Sequence, residues 1–240
     1  EVPFGSKKEF GVIWNNNRTE PKNIKIKHIY KKLNYSIDKK LIDFIEWFSL
    51  YNIVPIGLVL KMVIGNNQKL FLTEDSPLKQ NKIKIKKYLL NNEQVNALKY
   101  LNTENNKFKV SVLQGTTGSG KTLVYFERIK KIVAKKKQAL VLLPEIFLTN
   151  EFKKRFEDFF GYEPAIWHSK VTPKQKRIIW KGIVANKIKI VLGARSSLLL
   201  PFKKLGIIIV DEEHDNSYKQ DEGVIYNARD MAISRANFER

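Results

Sequence analysis

The 240-residue sequence contains no cysteine, which excludes disulfides and cysteine-based zinc sites within these residues. It also has no run approaching the roughly 18 to 20 uncharged apolar residues that a membrane-spanning helix needs. The start of the chain lacks the pattern of a secretory signal peptide. The sequence therefore predicts no membrane partner, and the missing cysteine fits a cytoplasmic protein.

Acidic residues are few compared with basic ones. Aspartate and glutamate number 24 against 44 lysines and arginines, which gives a formal net charge of +20. Because each cation that meets a phosphate releases counterions, a basic excess spread along the chain favours nucleic acid as the partner. Compositional bias is the alternative, since most of the basic residues are lysines and asparagine and isoleucine are also frequent.

The front of the chain, residues 1–75, has short extended segments between Gly, Asn and Pro turns. They predict strands at 2–5, 10–14 and 24–30. Apolar residues at helical spacing from Leu41 to Leu50 predict a helix, and Pro55 marks the start of a second. We expect a small β-rich domain with a helical segment.

A polar, lysine-rich stretch at 76–92 predicts a linker with a short strand at 83–85, and from residue 93 apolar strands alternate with helices. The predicted strands are 110–113, 139–143, 188–192 and 207–210. The predicted helices are 122–136, 150–160, 173–186 and 227–237. This alternation predicts an α/β domain at 93–240, with a parallel sheet covered by helices on both faces.

A phosphate-binding loop stands between the first predicted strand and helix of that domain. Its residues match GxxxxGK[ST] in full: Gly115, Thr116, Thr117, Gly118, Ser119, Gly120, Lys121 and Thr122. Glycines let backbone N–H groups curl around a phosphate, and the helix N-terminus adds a favourable dipole. Lys121 is placed to reach the β- and γ-phosphates of ATP, and the Thr122 hydroxyl to bind Mg²⁺. A glycine-rich turn that matches by chance is the alternative.

An acidic group follows the apolar strand predicted at 207–210. A buried parallel strand delivers its carboxyl end to the site crevice, so Asp211 is placed to hold Mg²⁺ and Glu212 to polarise the attacking water. His214 is a candidate sensor that links the γ-phosphate to DNA. A surface acidic turn after a core strand is the alternative.

Several further segments resemble the PriA family of replication-restart helicases, also called primosomal protein N′. In chain order they read LLPEIFLT at 142–149, WHS at 167–169, GARSSL at 193–198 and DEEHDNSYKQDEGVIYNARD at 211–230. The resemblance is strong over 110–240. It is weaker at the front, where VPFG at 2–5, GVI at 11–13 and the segment 47–59 are similar to the start of the family.

The resemblance implies a RecA-like helicase lobe of superfamily 2 that hydrolyses ATP with Mg²⁺ and moves 3′ to 5′ on DNA. Its catalytic residues would be Lys121, Asp211 and Glu212. It also implies forked and single-stranded DNA, primosome proteins and single-strand-binding protein as partners, in a bacterial cytoplasm. Residues that would touch DNA or couple it to hydrolysis are Arg195, Ser196, His214, Tyr218, Lys219, Tyr226 and Arg229. For the two tyrosines, packing beneath the sheet edge is the alternative to stacking on a base.

In this family the front module captures the 3′ end of a nascent strand, and a glutamine near the lobe reads adenine. Gln94 stands at that position; a glutamine that merely begins a helix is the alternative. Zinc is expected in full-length family members, but this chain has no cysteine ligands for it.

The sequence departs from the family pattern in several ways. It stops at Arg240, before the second lobe and its arginine finger, and it begins at Glu1 rather than Met, so we expect a fragment. Residues 74–92 are too few for a winged-helix domain. Val224 and Asn227 stand where many members have Trp and His. The alternative function is therefore a fragment that binds ATP and forked DNA without cycling.

Overall fold

The computed structural model describes residues 1–4, 6–14, 27–32, 36–65, 86, 88–103 and 108–240. These residues fall into two compact units, one that ends at Ser36 and one that starts at Ile37. Most of the predicted linker at 76–92, with its strand at 83–85, lies outside the described residues.

The first unit contains an antiparallel pair of short strands, β1 (Val2–Phe4) and β2 (Lys7–Glu9), in which Val2 faces Glu9. The strand predicted at 2–5 is thus found as β1. The strand predicted at 10–14 is wrong: β1 takes β2 as its partner, and 10–14 pairs with no strand among the described residues. Of the strand predicted at 24–30, residues 27–30 are not extended into a ladder, and the rest lies outside the described residues.

Two helices open the second unit. Helix α1 (Lys39–Tyr51) begins at Asp38, whose carboxylate accepts a hydrogen bond from the Lys40 N–H at 2.9 Å. Helix α2 (Ile56–Ile64) starts directly after Pro55 and ends at Gly65, which takes the positive φ of +71° that glycine adopts without cost. Both helices predicted from the apolar spacing are confirmed.

The rest of the second unit is built around four parallel strands. The sheet has the order β4-β5-β3-β6, formed by β3 (Gln138–Leu142), β4 (Ala165–Trp167), β5 (Ile190–Gly193) and β6 (Leu205–Val210). The helices are α3 (Asn92–Leu101), α4 (Lys121–Ala134), α5 (Asn150–Phe160), α6 (Pro173–Val184) and α7 (Ala228–Phe238). A short hairpin, β7 (Lys219–Gln220) with β8 (Tyr226–Asn227), precedes α7. The predicted RecA-like α/β fold is confirmed.

The core lies between the sheet and the aromatic faces of α4 and α5. Phe126 packs edge-on against Phe156 at 5.8 Å between ring centroids, and both rings are buried against Val141 and Leu192 of the sheet. Helix α7 buries Met231 and Ala232 outside this cluster, against β6. Full burial of each large apolar side chain, such as Phe126 or Met231, stabilises the fold by roughly 1.5–3 kcal/mol.

Helix α1 packs on α7 through aromatic rings. Phe44 lies 6.0 Å from Phe238, and its ring also receives the guanidinium of Arg235 at 5.4 Å. That guanidinium is fully buried and forms a 2.6 Å ion pair with Glu239. Because a buried charge without its partner is costly, this pair holds the α7 end in one geometry beneath α1.

One predicted strand of the lobe is wrong, and strand β4 of the parallel sheet was not predicted. Residues 110–113 do not form a strand: they pair with no neighbour among the described residues, and Val112 is 86% exposed. Valine-rich segments favour strands, but a strand forms only when a hydrogen-bonding neighbour is in place. Strand β4, at the sheet edge, was not predicted because it is only three residues long.

A buried side-chain amide links strand β3 to the connections that lead into β5 and β6. The side chain of Gln138, at the start of β3, is fully buried. Its Nε2 donates to the carbonyls of Ile183 and Ile188, at 3.1 and 2.8 Å, and its Oε1 accepts from the N–H groups of Lys203 and Lys204, at 2.8 and 3.0 Å. All four hydrogen-bonding positions of the amide are therefore used.

Replacing Gln138 with leucine should lower the free energy of unfolding by about 3 kcal/mol, because four backbone groups, two of them buried, lose their partner. Urea unfolding followed by circular dichroism measures the loss. Gln220→Leu is the matched control, since the half-buried Gln220 amide donates only to two loop carbonyls. Equal stability of the two variants would contradict the structural role of Gln138.

Candidate nucleotide-binding site

The phosphate-binding loop lies where the sequence places it, at the N-terminus of α4. Gly118 and Gly120 both take φ of +82°, in the left-handed region. At Gly115 an added Cβ would lie 2.7 Å from the Ser119 hydroxyl, which would have to turn away to make room. Residues 115–119 are exposed, which leaves the loop backbone open to a ligand.

Lys121 folds back over this loop. Its Nζ donates to the carbonyl of Gly115 at 2.6 Å and to that of Thr116 at 3.1 Å. Among the described residues, these two backbone carbonyls are the only hydrogen-bond partners of the ammonium group. Phosphate oxygens are stronger acceptors than carbonyls because they carry charge, so an anion at the loop would take over these hydrogen bonds.

Asp211 leaves the end of β6 beside the end of β3. Its backbone N–H donates to the carbonyl of Leu142 at 3.1 Å and so extends the parallel ladder by one residue. Both oxygens of its carboxylate are held: Oδ1 accepts from the Glu212 N–H at 3.1 Å, and Oδ2 accepts from the Tyr125 hydroxyl at 2.8 Å. The acidic group does form a surface turn after a core strand, so the role of Asp211 in holding Mg²⁺ stays a prediction.

Glu212 has a φ of +49°, a left-handed backbone conformation that residues other than glycine seldom adopt. Such a conformation costs of order 1–3 kcal/mol and persists only where the surroundings fix it, often at functional sites. Its carboxylate lies 3.8 Å from the exposed imidazole of His214. The turn thereby points two titratable side chains away from the core.

Gln94 connects α3 to the phosphate-binding loop. Its Nε2 donates to the Ser119 carbonyl at 3.2 Å. Its Oε1 accepts from the Asn91 N–H, and the Asn91 side chain accepts from the Gln94 N–H, which completes a capping box. The residue begins a helix, as the alternative had it, and it also lies beside the loop; its role in reading adenine remains a prediction.

The segments that carry the family resemblance lie at the carboxyl ends of the sheet strands and are joined by side-chain contacts. The Glu145 carboxylate accepts from the Ser169 hydroxyl at 3.0 Å, which joins 142–149 to 167–169. The Arg195 guanidinium donates to the carbonyls of Ser217 and Lys219, which joins 193–198 to the loop after Asp211. Arg229 pairs with Glu213 at 3.0 Å. Ser196 and Lys219 are exposed.

Both tyrosines that were candidates for base stacking are buried. Tyr218 is 2% exposed, and its hydroxyl lies within hydrogen-bonding distance of the carbonyl oxygens of Leu142 and Asp211. Tyr226 is 3% exposed and packs edge-on against Phe48 of α1 at 5.3 Å. The packing alternative therefore describes both rings, and neither presents a face to a base.

Sequence reasoning missed Tyr125, the residue that contacts Asp211. The signal available was its position three residues after Thr122, which puts both side chains on one face of α4. A lone tyrosine on a core face signals that its hydroxyl has a polar partner in the interior.

Neither a membrane-spanning helix nor a metal-binding cluster of side chains is found within the described ranges. No helix there is long and apolar enough to cross a bilayer. No group of three or more His, Cys, Asp or Glu side chains in those ranges is arranged to hold a metal ion. A Mg²⁺ ion at a phosphate site takes only one or two protein carboxylates, with phosphate and water oxygens completing its shell.

Comparison with known families assigns the class of protein. The family described as "Type III restriction enzyme, res subunit" matches residues 87–234, and the chain belongs to this family. A second description, the "3'DNA-binding domain (3'BD)" of PriA, matches residues 1–65.

The chain is also similar to curated proteins named replication restart protein PriA. The PriA of Rickettsia conorii is 42% identical over 244 residues, which covers all of this chain and 36% of that protein. The PriA of Bacillus subtilis is 45% identical over 133 residues, covering 55% of this chain and 16% of that protein. The PriA of Helicobacter pylori is 45% identical over 145 residues, covering 60% and 23%. The resemblance to PriA is confirmed, and the chain spans about a third of the length of the relative from Rickettsia conorii.

Buried tyrosines surround this site, and their pKa values are raised. Burial, followed by the charge of Asp211, raises the pKa of Tyr125 and of Tyr218 well above the usual range. Burial raises the pKa of Tyr226 to about 12. Among the described residues the Tyr226 hydroxyl has no hydrogen-bond partner.

Raising the pH above about 10, the ordinary tyrosine pKa, should destabilise the fold. Each buried tyrosine keeps its proton when folded and loses it when unfolded. Its stabilising contribution is therefore complete below the unfolded pKa and is lost as the pH rises through the raised folded pKa. The free energy of unfolding should fall by about 1.4 kcal/mol per pH unit for each such residue. Urea unfolding at a series of pH values measures this slope.

Tyr226→Phe is the matched variant for this measurement. It should reduce the slope by about 1.4 kcal/mol per pH unit, which is the contribution of one titrating proton. At neutral pH its stability should be unchanged or higher, because no hydrogen bond is lost. An unchanged alkaline slope would show that Tyr226 ionises normally in the folded chain.

Proposed function

We propose that the chain binds ATP and Mg²⁺ and forms the first lobe of a DNA helicase that restarts stalled replication forks. The observation that carries the proposal is the convergence at α4 and the end of β6. There an open phosphate-binding loop with Lys121 stands beside Asp211, whose carboxylate is hydrogen bonded to Tyr125 of the same helix. The family match at 87–234 and the PriA relatives support the same function.

The residues of the site have distinct roles in this proposal. The loop backbone and the Lys121 ammonium bind the phosphates of ATP. Thr122 and Asp211 supply two oxygen ligands for Mg²⁺, which fits an ion that takes its remaining ligands from phosphates and water. When bound, Mg²⁺ supplies positive charge against the phosphate oxygens. Glu212, held outward by its left-handed backbone, accepts a hydrogen bond from the attacking water and orients it.

The DNA-facing part of the proposal rests on charge and on the second family match. The net charge of +20 favours the phosphate backbone, and the match at 1–65 supports capture of a DNA 3′ end by the front of the chain. Arg195 ties the segment 193–198 to the loop after Asp211, so DNA contact at either segment reaches the acidic turn. The 3′-to-5′ direction, primosome proteins, single-strand-binding protein and a cytoplasmic location belong to the same proposal.

The exposure of the phosphate-binding loop favours a second candidate, binding without turnover. Residues 115–119 face solvent, whereas hydrolysis requires a site that excludes bulk water and neutralises the charge that develops on the phosphates. In this alternative the chain binds ATP and forked DNA but hydrolyses ATP only when another protein surface completes the site.

Lys121→Ala should weaken ATP binding by about 10- to 100-fold, because the loop loses its charge-assisted hydrogen bonds to phosphate. Titration with a fluorescent ATP analogue measures the affinity. Lys131→Ala, on the exposed side of the same helix, is the matched control and should leave it unchanged. Wild-type affinity in Lys121→Ala would contradict the phosphate-binding assignment.

Steady-state ATP hydrolysis, with and without forked DNA, separates the two candidates. The Lys121→Ala variant serves as the blank. DNA-stimulated turnover above this blank would support the helicase lobe as a working motor. Nucleotide binding without turnover would support the second candidate.

DNA binding by the wild-type chain should weaken steeply as salt is added. Each phosphate neutralised by a lysine or arginine contributes about −0.9 to the slope of log affinity against log salt on duplex DNA. Fluorescence anisotropy with a labelled fork, repeated at several salt concentrations, gives the slope. A flat response would contradict a role for the basic surface in DNA binding.

A further inference from the structure

Tyr125 is a core residue with one polar atom at the nucleotide site. The side chain is 4% exposed, and its ring packs edge-on against Phe126 at 5.2 Å within the cluster between sheet and helices. Its hydroxyl nevertheless reaches Oδ2 of Asp211 at 2.8 Å. The hydrogen bond crosses from the helix of the phosphate-binding loop to the acidic end of β6.

Thr122 lies on the same face of the helix. Thr122 and Tyr125 are three residues apart on α4, so their side chains share one face. The Tyr125 hydroxyl thus reaches Asp211 from the helix face that also carries Thr122, the other side chain to which the proposed function gives Mg²⁺ ligation.

We propose that Tyr125 is a positioning residue of the metal–nucleotide site: its hydroxyl holds the Asp211 carboxylate in a fixed orientation relative to Thr122. This inference rests on the proposed function, because it concerns how the same site holds Mg²⁺ with ATP. Tyr125 itself contacts neither substrate nor metal.

The geometry leaves Asp211 able to act while it is held. A carboxylate offers about four lone-pair directions, and Asp211 uses one on each oxygen, toward Glu212 N–H and toward Tyr125. Lone pairs therefore remain for the metal or for its water molecules. Tyrosine suits the task because its rigid ring, fixed by core packing, carries the hydroxyl to one place. Groups that orient a ligand in this way typically change metal affinity or activity 10- to 100-fold when removed.

A second tyrosine fixes the backbone of the same residue. The Tyr218 hydroxyl lies within hydrogen-bonding distance of the Asp211 carbonyl and of the Leu142 carbonyl on the neighbouring strand. Tyr218 therefore holds the strand end, and Tyr125 holds the side chain that leaves it. The two roles are separable, because the Tyr218 hydroxyl contacts backbone carbonyls whereas the Tyr125 hydroxyl contacts the side-chain carboxylate.

The alternative is that the Tyr125 hydroxyl merely satisfies its own need for a hydrogen bond in the core. Both alternatives predict some loss of stability in Tyr125→Phe, so stability does not distinguish them. They differ in the metal dependence of nucleotide binding. Only a positioning role makes the gain in nucleotide affinity on adding Mg²⁺ depend on the hydroxyl.

The experiment measures the affinity of the 240-residue chain for a fluorescent ATP analogue, first in EDTA and then across a Mg²⁺ titration. Tyr125→Phe keeps the ring and removes only the hydroxyl. We expect its affinity in EDTA to equal that of the wild type, and the Mg²⁺ concentration at half-effect to rise about 10- to 100-fold. Tyr162→Phe is the matched control: Tyr162 packs against the same aromatic cluster, and its pKa is raised to about 12 by burial alone.

A double-variant cycle adds a readout that a structural role would not move. In an Asp211→Asn background, Tyr125→Phe should change the Mg²⁺ dependence little, since the group that the hydroxyl orients is already altered. Equal Mg²⁺ dependence of Tyr125→Phe and wild type would overturn the positioning role and leave the proposed function standing. Failure of the wild-type chain to bind nucleotide at all would overturn the proposed function itself. A shift of equal size in Tyr162→Phe would also overturn the specific role of Tyr125.

Discussion

The parallel pairing of β3 with β6 is the constraint on which the rest of the site depends. Leu142 and Val210 lie opposite each other at the ends of the two strands, and the ladder continues for one residue through the Asp211 N–H. Parallel strands bring their carboxyl ends to the same edge, so this register alone decides where the acidic group emerges. A shift by one residue would turn Asp211 toward the opposite face of the sheet. The two tyrosine hydroxyls that reach this residue reinforce a position that backbone hydrogen bonding has already fixed.

Buried residues lie on one side of the site, and exposed residues with a strained backbone lie on the other. Below Asp211 the strands and the aromatic rings of α4 and α5 are buried. Above it, Glu212 takes a left-handed backbone and the phosphate-binding loop faces solvent. The strain at Glu212, of order 1–3 kcal/mol, is supported by the ladder and by the Asp211 carboxylate that accepts its N–H. A strained backbone position thus lies among the residues that would meet a ligand.

Much of the lobe could be predicted from the sequence, because local signals and tertiary packing agree there. Helix α5 is found at the predicted 150–160, where Thr149 caps it, and the phosphate-binding loop precedes α4 as its motif required. The failures lie where a distant partner decides. Residues 110–113 have strand propensity but no neighbouring strand within the described part of the chain, and Tyr125 looks like an ordinary core aromatic until β6 brings Asp211 to its hydroxyl. Periodicity along one segment carries no information about such partners, because they come from elsewhere in the chain.

The packing of α1 against α7 has a consequence for where the chain can be divided. The matched 3′ DNA-binding segment runs to residue 65, yet the folded unit that contains the sheet begins at Ile37. The boundary of the sequence match and the boundary of the folded unit therefore differ by two helices. Division of the chain after residue 65 would separate Phe44 and Phe48 from their partners and expose aromatic surface on the lobe. A fragment that keeps the sheet and its aromatic packing therefore has to begin before α1.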